Sequence, residues 1–377
     1  MPNRWLLEFN LRLEKINHML IQCTKKLLDQ LKIKPDLEKQ ETPLFSWHAN
    51  LITIDRRKTI VLMNDSSRYT IVLYGLKAKD FKHLNELIID AIRQTLLDEL
   101  VKPEIVERFL ECSPEIVYTK TKDRTMVARL NKACDNVWFN GEKLNLDQII
   151  QSAVSRNVST LLVGDKSGNY ACPNELMYRD LKTFSKESIF SCKAVVFKVT
   201  LGLKNHNVWR RVIVPIETSF KQLHDILQIV FGWQDSHLHD FCVFNGKKPV
   251  ANLVCSDDAF DYPSDTPMIM ETDRKLSDFI PKYSRIKYIY DFGDNWEHYI
   301  ELEKIEENYA KNYPVCLDGD GTTPPEDVGG EAGYDAFLSA IADPAHPDHE
   351  EIIKWGGMQG YTPFNLERIN RMLRRSL

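Results

Sequence analysis

Three short apolar runs separated by polar turns restrict most strongly how this chain can fold. The runs are LITID (51–55), TIVLM (59–63) and YTIVLY (69–74), and short polar segments join them. Runs rich in β-branched and aromatic residues between polar turns are typical of strands, and short connections pair consecutive strands antiparallel. The sequence therefore predicts a β-meander that begins near Trp47.

Helical patterns follow the predicted meander. Apolar residues recur at 3.6-residue spacing from Phe81 to Leu96, and Pro103 opens a second short helix through Phe109. We therefore predict a small α+β domain over residues 19–185. Residues 1–18 carry a short amphipathic pattern with Trp5 and Phe9, which we interpret as an N-terminal extension.

A second domain is predicted over residues 193–377. AVVFKVTL (194–201) and WRRVIV (209–214) indicate two strands, and Ser219 with Gln222 forms a capping box for a helix that stops at Gly232. HLHDFCVF (237–244) predicts a strand, RIKYIYDFGDNWEHYIEL (285–302) predicts a hairpin, and two helices are expected near the C-terminus. The expected fold class is α+β, with an N-terminal β-meander domain and a C-terminal mixed α/β domain.

Composition and charge exclude several classes of protein. The 377 residues are 43% hydrophobic and 27% charged, which is typical of a globular protein, and no apolar run is long enough to span a membrane. The eight cysteines include no CxxC pair, so we expect reduced thiols and a cytoplasmic location. Residues 193–377 carry 20 Lys and Arg against 29 Asp and Glu, a net charge of -9, which disfavours binding to a phosphate backbone.

Four motifs, in order, make the second domain recognisable. VWRRVIVP, FGWQDSHLHDF, YDFGDNWEH and YPVCLDGDGTTPPEDVGGEAGY together resemble the plasmid pRiA4b ORF-3-like family, also labelled transposon passenger TnpR-like. MLIQCTKKLL with PLFSWHANLITIDRRKTIVLMND resembles domain of unknown function 6933. The first resemblance implies a link with mobile genetic elements and plasmids, and neither resemblance implies a reaction.

We expect a binding surface where the HLH strand, the FGDN hairpin and the PPEDVGG loop lie. Aromatic, basic and acidic side chains in these segments and in WRR could contact a partner, because such mixtures stack on rings and pair with charged groups. The candidate binding residues are Trp209, Arg210, Arg211, Trp233, Asp235, Asp294, Asn295, Glu326 and Asp327.

A divalent metal site is the alternative use of the same segments. His237 and His239 would share one face of the predicted strand, and could bind a metal with His298 and a carboxylate from Asp291 or Asp294. The competing interpretations are structural. His298 would be a buried, hydrogen-bonded core residue, the FGDN loop a tight turn, and LDGDGTTPPEDVGGE an ordered loop in which Gly329 and Gly330 take left-handed conformations.

These observations leave three functions open. We favour a non-catalytic binding or accessory module without a cofactor, whose partner is an unidentified protein or nucleic acid and not a membrane. The second hypothesis is a metal-dependent hydrolase acting on nucleic acid or nucleotides through His237, His239 and His298. The third, a DNA-binding protein, would use residues 1–192, whose net charge is +4, or the C-terminal arginines.

Overall fold

The chain forms two compact units, Met1–Ser191 and Cys192–Leu377. The computed structural model describes residues 18–36, 41–164 and 168–374. The predicted domains 19–185 and 193–377 lie one in each unit, and the fold class is α+β as expected. The predicted helix pattern in the first 17 residues lies outside the described residues.

The first unit contains a mixed five-stranded sheet with the order β4-β3-β2-β1-β5. β1 pairs in parallel with both of its neighbours, β2 and β5, whereas β2, β3 and β4 form the predicted antiparallel meander. A short ribbon, β6 with β7, lies apart from this sheet. The strands are β1 His18–Cys23, β2 Ser46–Ile54, β3 Arg57–Asn64, β4 Thr70–Leu76, β5 Glu115–Lys120, β6 Val163–Gly164 and β7 Tyr170–Ala171.

Both faces of the five-stranded sheet are covered. Residues such as Ile60 and Leu62 of β3 join one buried cluster, and Val61 and Met63 join another on the opposite face. Burial on both faces explains why TIVLM is apolar without alternation. The helices of this unit are α1 Lys25–Leu31, α2 Leu84–Asp98, α3 Pro103–Glu111, α4 Arg124–Phe139, α5 Ser152–Ser159 and α6 Pro173–Ser185.

Four strands of the first unit were not predicted: β1, β5 and the short pair β6 and β7. β5 lies at the edge of the sheet with β1 as its parallel neighbour, and no hairpin joins them. A parallel pair of this kind leaves no turn signal in the sequence, because its partners are far apart along the chain. The predicted helices from Phe81 and from Pro103 are confirmed, although α2 begins at Leu84 after a 3-10 turn.

The second unit is built on an eight-stranded sheet with the order β12-β11-β10-β13-β14-β8-β9-β15. All neighbouring strands are antiparallel except β11 and β12. The predicted hairpin is β13 with β14. The strands are β8 Cys192–Leu201, β9 Trp209–Pro215, β10 His239–Asn245, β11 Lys248–Val254, β12 Met268–Met270, β13 Arg285–Tyr290, β14 Trp296–Tyr309 and β15 Val315–Asp320.

Helix α7, Phe220–Phe231, packs its apolar side into the core of this unit. The capping box of Ser219 and Gln222 starts it and Gly232 ends it, both as predicted. Its buried residues Phe220 and Leu227 pack in one cluster with β10, β13 and β14. The other helices are α8 Gly330–Ala342, α9 His349–Met358 and α10 Leu366–Leu373. The segment LDGD, predicted as loop, forms β15 instead because it pairs with β9.

Two further expectations concern the whole chain. None of the helices in the described ranges combines the length and apolar character needed to cross a bilayer. None of the eight cysteines, all of which lie in the described ranges, forms a disulfide.

Candidate metal centre

The loop between α7 and β10 carries His237. Gly232 ends the helix with a φ of +80°, and Gln228 accepts a hydrogen bond on Oε1 from the backbone N–H of Asp235 at 2.8 Å. This hydrogen bond ties the loop to the helix. His237 comes just before β10, with 29% of its side chain exposed.

The turn between β13 and β14 carries Asp291. Asp291 and Asn295 both have a φ of +55°, and the N–H of Gly293 donates to Asp291 Oδ1 at 2.8 Å. This is the predicted tight turn, in which an aspartate bonds its own backbone. The Asp291 N–H donates to the Leu238 carbonyl at 3.0 Å, which ties the turn to the loop before β10. Asp291 Oδ2 is left 3.7 Å from His237 Nε2.

The loop between β15 and α8 brings in Glu326, whose side chain is 1% exposed. Its backbone N–H donates to the Gln359 carbonyl at 3.1 Å. Its Oε1 accepts hydrogen bonds from the Gln234 N–H at 2.6 Å and from the Tyr290 hydroxyl at 2.9 Å. Two donors thus hold one carboxylate oxygen, and the orientation of the other oxygen is fixed as a result.

Three carboxylates surround the Nε2 atom of His237. Asp327 Oδ1 lies at 2.9 Å, and Asp291 Oδ2 and Glu326 Oε2 each lie at 3.7 Å. The ligand atoms of His237, Asp291 and Asp327 are all within 4.8 Å of one another. Neighbouring ligands of a divalent ion with bonds of about 2.0–2.2 Å are separated by roughly 3.0–3.6 Å. The separations from His237 Nε2, 2.9 to 3.7 Å, are close to that range, so this cluster is a candidate metal site.

Two buried polar atoms in this cluster have no hydrogen-bond partner. They are His237 Nε2, which lies close to Asp327 without hydrogen-bond geometry, and Glu326 Oε2. Buried polar atoms without a partner are rare in folded proteins, so each one requires an explanation. Burial raises the pKa of the Glu326 carboxyl, while the bonds from Gln234 and Tyr290 oppose that shift. A cation between the two atoms would satisfy both.

A second group of ionisable residues lies nearby, in which the ligand atoms of His224, Asp235 and His239 are also within 4.8 Å of one another. His224 contacts the Tyr288 hydroxyl and Asp235 Oδ1, each at 2.8 Å, and His239 Nε2 contacts Glu271 Oε2 at 2.8 Å. The two imidazole rings stack in parallel, with centroids 3.5 Å apart. Both nitrogens of His224 and the Nε2 atom of His239 already have hydrogen-bond partners. Burial and the neighbouring His239 lower the pKa of His224 to about 3, so the neutral form of this imidazole is favoured and we interpret the group as a packing network.

The three histidines predicted to share a metal do not meet. β10 begins at His239, so His237 lies in the preceding loop and the two side chains go to different carboxylates. The strand argument was wrong because it placed His237 inside the strand. His298 is completely buried, with Nδ1 against the Trp296 carbonyl at 3.0 Å, which confirms the structural interpretation of that residue. Burial lowers the pKa of His298 to about 3.

Arg210 and Trp233, which were predicted to belong to a binding surface, are buried. Arg210 is 2% exposed and donates to the carbonyls of Asp320 and Gly321 at 2.7 and 3.0 Å, with Phe231 and Phe364 against its guanidinium. It anchors the loop that carries Glu326, and its charge is not available to a ligand.

Trp233 is 6% exposed and stacks on Trp296 with ring centroids 5.6 Å apart. Both Arg210 and Trp233 were predicted to be accessible because the sequence does not show which side of an element is covered.

The remaining candidates lie at or near the surface. Arg211 forms a bidentate pair with Glu303 at 2.6 and 3.0 Å and contacts the ring of Trp209. Asp294 Oδ2 accepts a hydrogen bond from the Gly329 N–H at 3.0 Å, which joins the FGDN turn to the start of α8. Asn295 and Asp235 are exposed.

Sequence reasoning missed the residues that orient Glu326. Tyr290 is buried at the end of β13 and bonds both Glu326 and the N–H of Ser236, and Gln234 donates through its backbone. The alternation of Tyr288 and Tyr290 could have indicated inward-facing tyrosines on this strand. Nothing in the sequence could have indicated a backbone donor.

The fold and this cluster define an α+β unit with a histidine–carboxylate centre formed by three loops. Residues 193–372 match the family described as plasmid pRiA4b ORF-3-like protein, and residues 20–176 match domain of unknown function 6933. The chain belongs to the pRiA4b ORF-3-like family through its second unit. These matches confirm both resemblances.

Two similar proteins each match somewhat less than half of the chain. One is the "Uncharacterized protein y4hQ" of Sinorhizobium fredii (strain NBRC 101917 / NGR234), 35% identical over 179 residues, which are 47% of this chain and 89% of that protein. The other is a crystal structure of a protein of unknown function, MM3350 from Methanosarcina mazei Go1. It is 32% identical, with a TM-score of 0.40, and the match covers 46% of this chain and 96% of that one.

Proposed function

We propose that the second unit is a binding module that holds a divalent metal ion through His237, Asp291 and Asp327, with Glu326 beside the ion. The observation that carries the proposal is the buried carboxylate of Glu326. One oxygen is held by two donors, and the other faces His237 Nε2 at 3.7 Å without a hydrogen-bond partner. The family's name supports an association with mobile elements, which we retain as part of the proposal.

The donor atoms favour a particular group of metals. One imidazole with two or three carboxylates suits first-row divalent ions such as Mn²⁺, Fe²⁺, Co²⁺ and Zn²⁺, whereas Mg²⁺ and Ca²⁺ favour oxygen ligands alone. No cysteine belongs to the cluster of ligand atoms among the described residues. We therefore expect Mn²⁺ and Co²⁺ to be suitable probes.

The exposure of two ligand side chains supports an open coordination position on the metal ion. Asp327 is 54% exposed and His237 29% exposed, whereas Asp291 and Glu326 form the buried side. Centres with three protein ligands commonly keep a position for water or for an external ligand. The unit would then bind its partner or ligand through the metal.

Hydrolysis is the second candidate function, and Glu326 Oε2 is the observation that favours it. A metal-bound water is acidified by the ion, and a carboxylate with free lone pairs next to it can accept the proton. Glu326 Oε2 has such free lone pairs.

The test is a Mn²⁺ titration of the chelator-treated full chain, followed by the loss of the free-ion electron paramagnetic resonance signal. We expect one ion per chain, with the affinity reduced about 100-fold in Asp327→Asn, since a direct ligand is weakened. Asp318→Asn, an exposed acid of the same unit, is the matched control. Equal Mn²⁺ affinity in Asp327→Asn and Asp318→Asn would refute the proposed site.

A second assay separates binding from hydrolysis. The Mn²⁺-loaded chain is tested on p-nitrophenyl acetate and bis(p-nitrophenyl) phosphate before and after chelation. Turnover that disappears in Glu326→Gln, at a Mn²⁺ concentration high enough to load the weakened centre, would support the hydrolase. If no metal-dependent turnover is observed, the binding module is favoured over the hydrolase.

A further inference from the structure

We infer that the open side of the metal centre accepts an uncharged oxygen or nitrogen donor and rejects phosphate groups. This inference rests on the proposed function, since it concerns the ligand of the same ion. It would separate this unit from enzymes that act on nucleic acids or nucleotides.

The charges of the cluster are the first step. Asp291, Glu326 and Asp327 supply three negative charges when ionised, so a divalent ion leaves the centre at -1. Within the described ranges, no lysine or arginine forms an ion pair with any of these carboxylates, and His237 is the side chain that lies against all three. The acidic side chain of Asp294 is nearby, because it bonds the N–H of Gly329 two residues after Asp327.

The arginines of the neighbouring strand cannot compensate for this charge. The Arg210 guanidinium is enclosed by backbone carbonyls and two phenyl rings, and Arg211 is bound by Glu303. Lys221, the base beside Asp235, is paired with Asp225 at 2.7 Å. All three bases already have partners within the unit.

Sites that bind phosphate supply positive charge around the metal. They use arginine or lysine side chains, or a second metal ion, to balance the charge of the phosphoryl oxygens. A phosphate dianion next to a centre of charge -1 is repelled, and at about 4–5 Å in water this weakens binding by roughly tenfold or more. An uncharged imidazole nitrogen or carbonyl oxygen experiences no such repulsion.

The experiment compares two probes on the Co²⁺-loaded full chain. The visible absorption of Co²⁺ responds to a change in its ligands, and imidazole and inorganic phosphate are titrated separately at pH 7.5 and constant ionic strength. We expect imidazole to change the spectrum at a concentration at least about tenfold below any effect of phosphate.

The outcomes distinguish the inference from the proposed function. A chain that binds no Co²⁺ would refute the metal centre itself. A chain that binds Co²⁺ but responds to phosphate as readily as to imidazole, or to neither probe, would overturn the inference and leave the metal centre standing.

A charge variant tests the physical cause. Asp294→Asn removes a negative charge near the centre and keeps an oxygen that can accept the Gly329 hydrogen bond. We expect phosphate to bind several-fold more tightly in this variant, with imidazole unchanged. Asp265→Asn, an exposed acid in the β11–β12 loop, is the control that should change neither probe. Equal phosphate binding in Asp294→Asn and the wild type would contradict the electrostatic explanation.

Discussion

Each unit contains a buried glutamate, and the two glutamates differ in how their oxygens are bound. Glu99 of the first unit accepts hydrogen bonds from Tyr69 on Oε1 at 3.0 Å and from Tyr178 on Oε2 at 2.6 Å, with Arg156 at 3.7 Å. Glu326 of the second unit has two donors on Oε1 and none on Oε2. Burial raises the pKa of both carboxyls.

This difference separates a structural carboxylate from one that can bind an ion. Each oxygen of Glu99 accepts a hydrogen bond from a side chain of the same unit, and we therefore interpret this carboxylate as structural. The free oxygen of Glu326 faces a histidine that two aspartates also approach. Burial alone therefore does not identify a site, whereas an unpaired oxygen among converging ligands does.

The largest expected effect is on the stability of the first unit. Glu99→Ala leaves the buried Tyr69 hydroxyl without its acceptor, removes the 2.6 Å bond from the half-buried Tyr178, and should lower the free energy of unfolding by about 3 kcal/mol. Hydrogen exchange measured by mass spectrometry would report this as lost protection in peptides of residues 18–191 alone. Glu104→Ala, an exposed acid in the first turn of α3, is the control. A loss below about 1 kcal/mol would show that Glu99 is not a structural carboxylate.

Glu326→Gln should weaken metal binding without destabilising the second unit. Without metal we expect protection in residues 192–374 to be unchanged or increased, since the variant removes a buried charge that has an unpaired oxygen. Mn²⁺ affinity should fall by about 10- to 100-fold in the same variant. Isothermal titration against Mn²⁺ measures it, and Asp318→Asn again provides the reference. Reduced protection with unchanged affinity would make Glu326 equivalent to Glu99.

Tyr290→Phe examines how the free oxygen is oriented. The variant removes one of the two donors to Glu326 Oε1 and the acceptor of the Ser236 N–H. We expect Mn²⁺ affinity to fall about tenfold, because the carboxylate can rotate. Tyr299→Phe, on the exposed side of β14, is the matched control. An unchanged affinity would mean that the Gln234 N–H alone holds Glu326.

The smallest effect concerns the pH dependence of the second unit. The pKa of His298 is lowered to about 3, against 6.5 when unperturbed. Its neutral form is therefore favoured in the folded state, and the contribution to stability is complete above pH 6.5 and declines as the pH falls from 6.5 towards 3. Between pH 7 and 5.5 we expect His298 to contribute a loss of about 1 kcal/mol in the free energy of unfolding.

This loss can be assigned to His298 by comparing urea unfolding of the wild type and His298→Leu at both pH values. The variant should show a smaller difference between the two pH values, even if it is less stable at each. An equal difference in both proteins would assign the acid sensitivity to another group, such as His224.

Much of the fold could be predicted from local patterns. The meander, the capped helix α7 and the β13–β14 hairpin each depend on residues within one short segment, so their periodicity and caps are visible in the sequence. The parallel strands β1 and β5 depend on a partner far away in the chain, and no local pattern identified them.

The candidate centre was only partly predictable, for the same reason. Sequence reasoning selected His237, Asp291, Glu326 and Asp327, but it grouped the first two with His239 and His298 and assigned the last two to a binding surface. Alternation along a strand cannot show that β10 begins at His239 or that the PPED loop folds back over His237.

By itself, the sequence determined the α+β class, the capped helix, the tight FGDN turn and the family, because each of these is encoded by neighbouring residues. Only the tertiary structure decided which carboxylates meet His237 and that Arg210 is enclosed. It also decided that one oxygen of Glu326 is left without a donor. These properties depend on contacts between distant segments, such as Gln234 with Glu326, 92 residues apart, and Arg210 with Gly321, 111 residues apart, and such contacts exist only once the chain has folded.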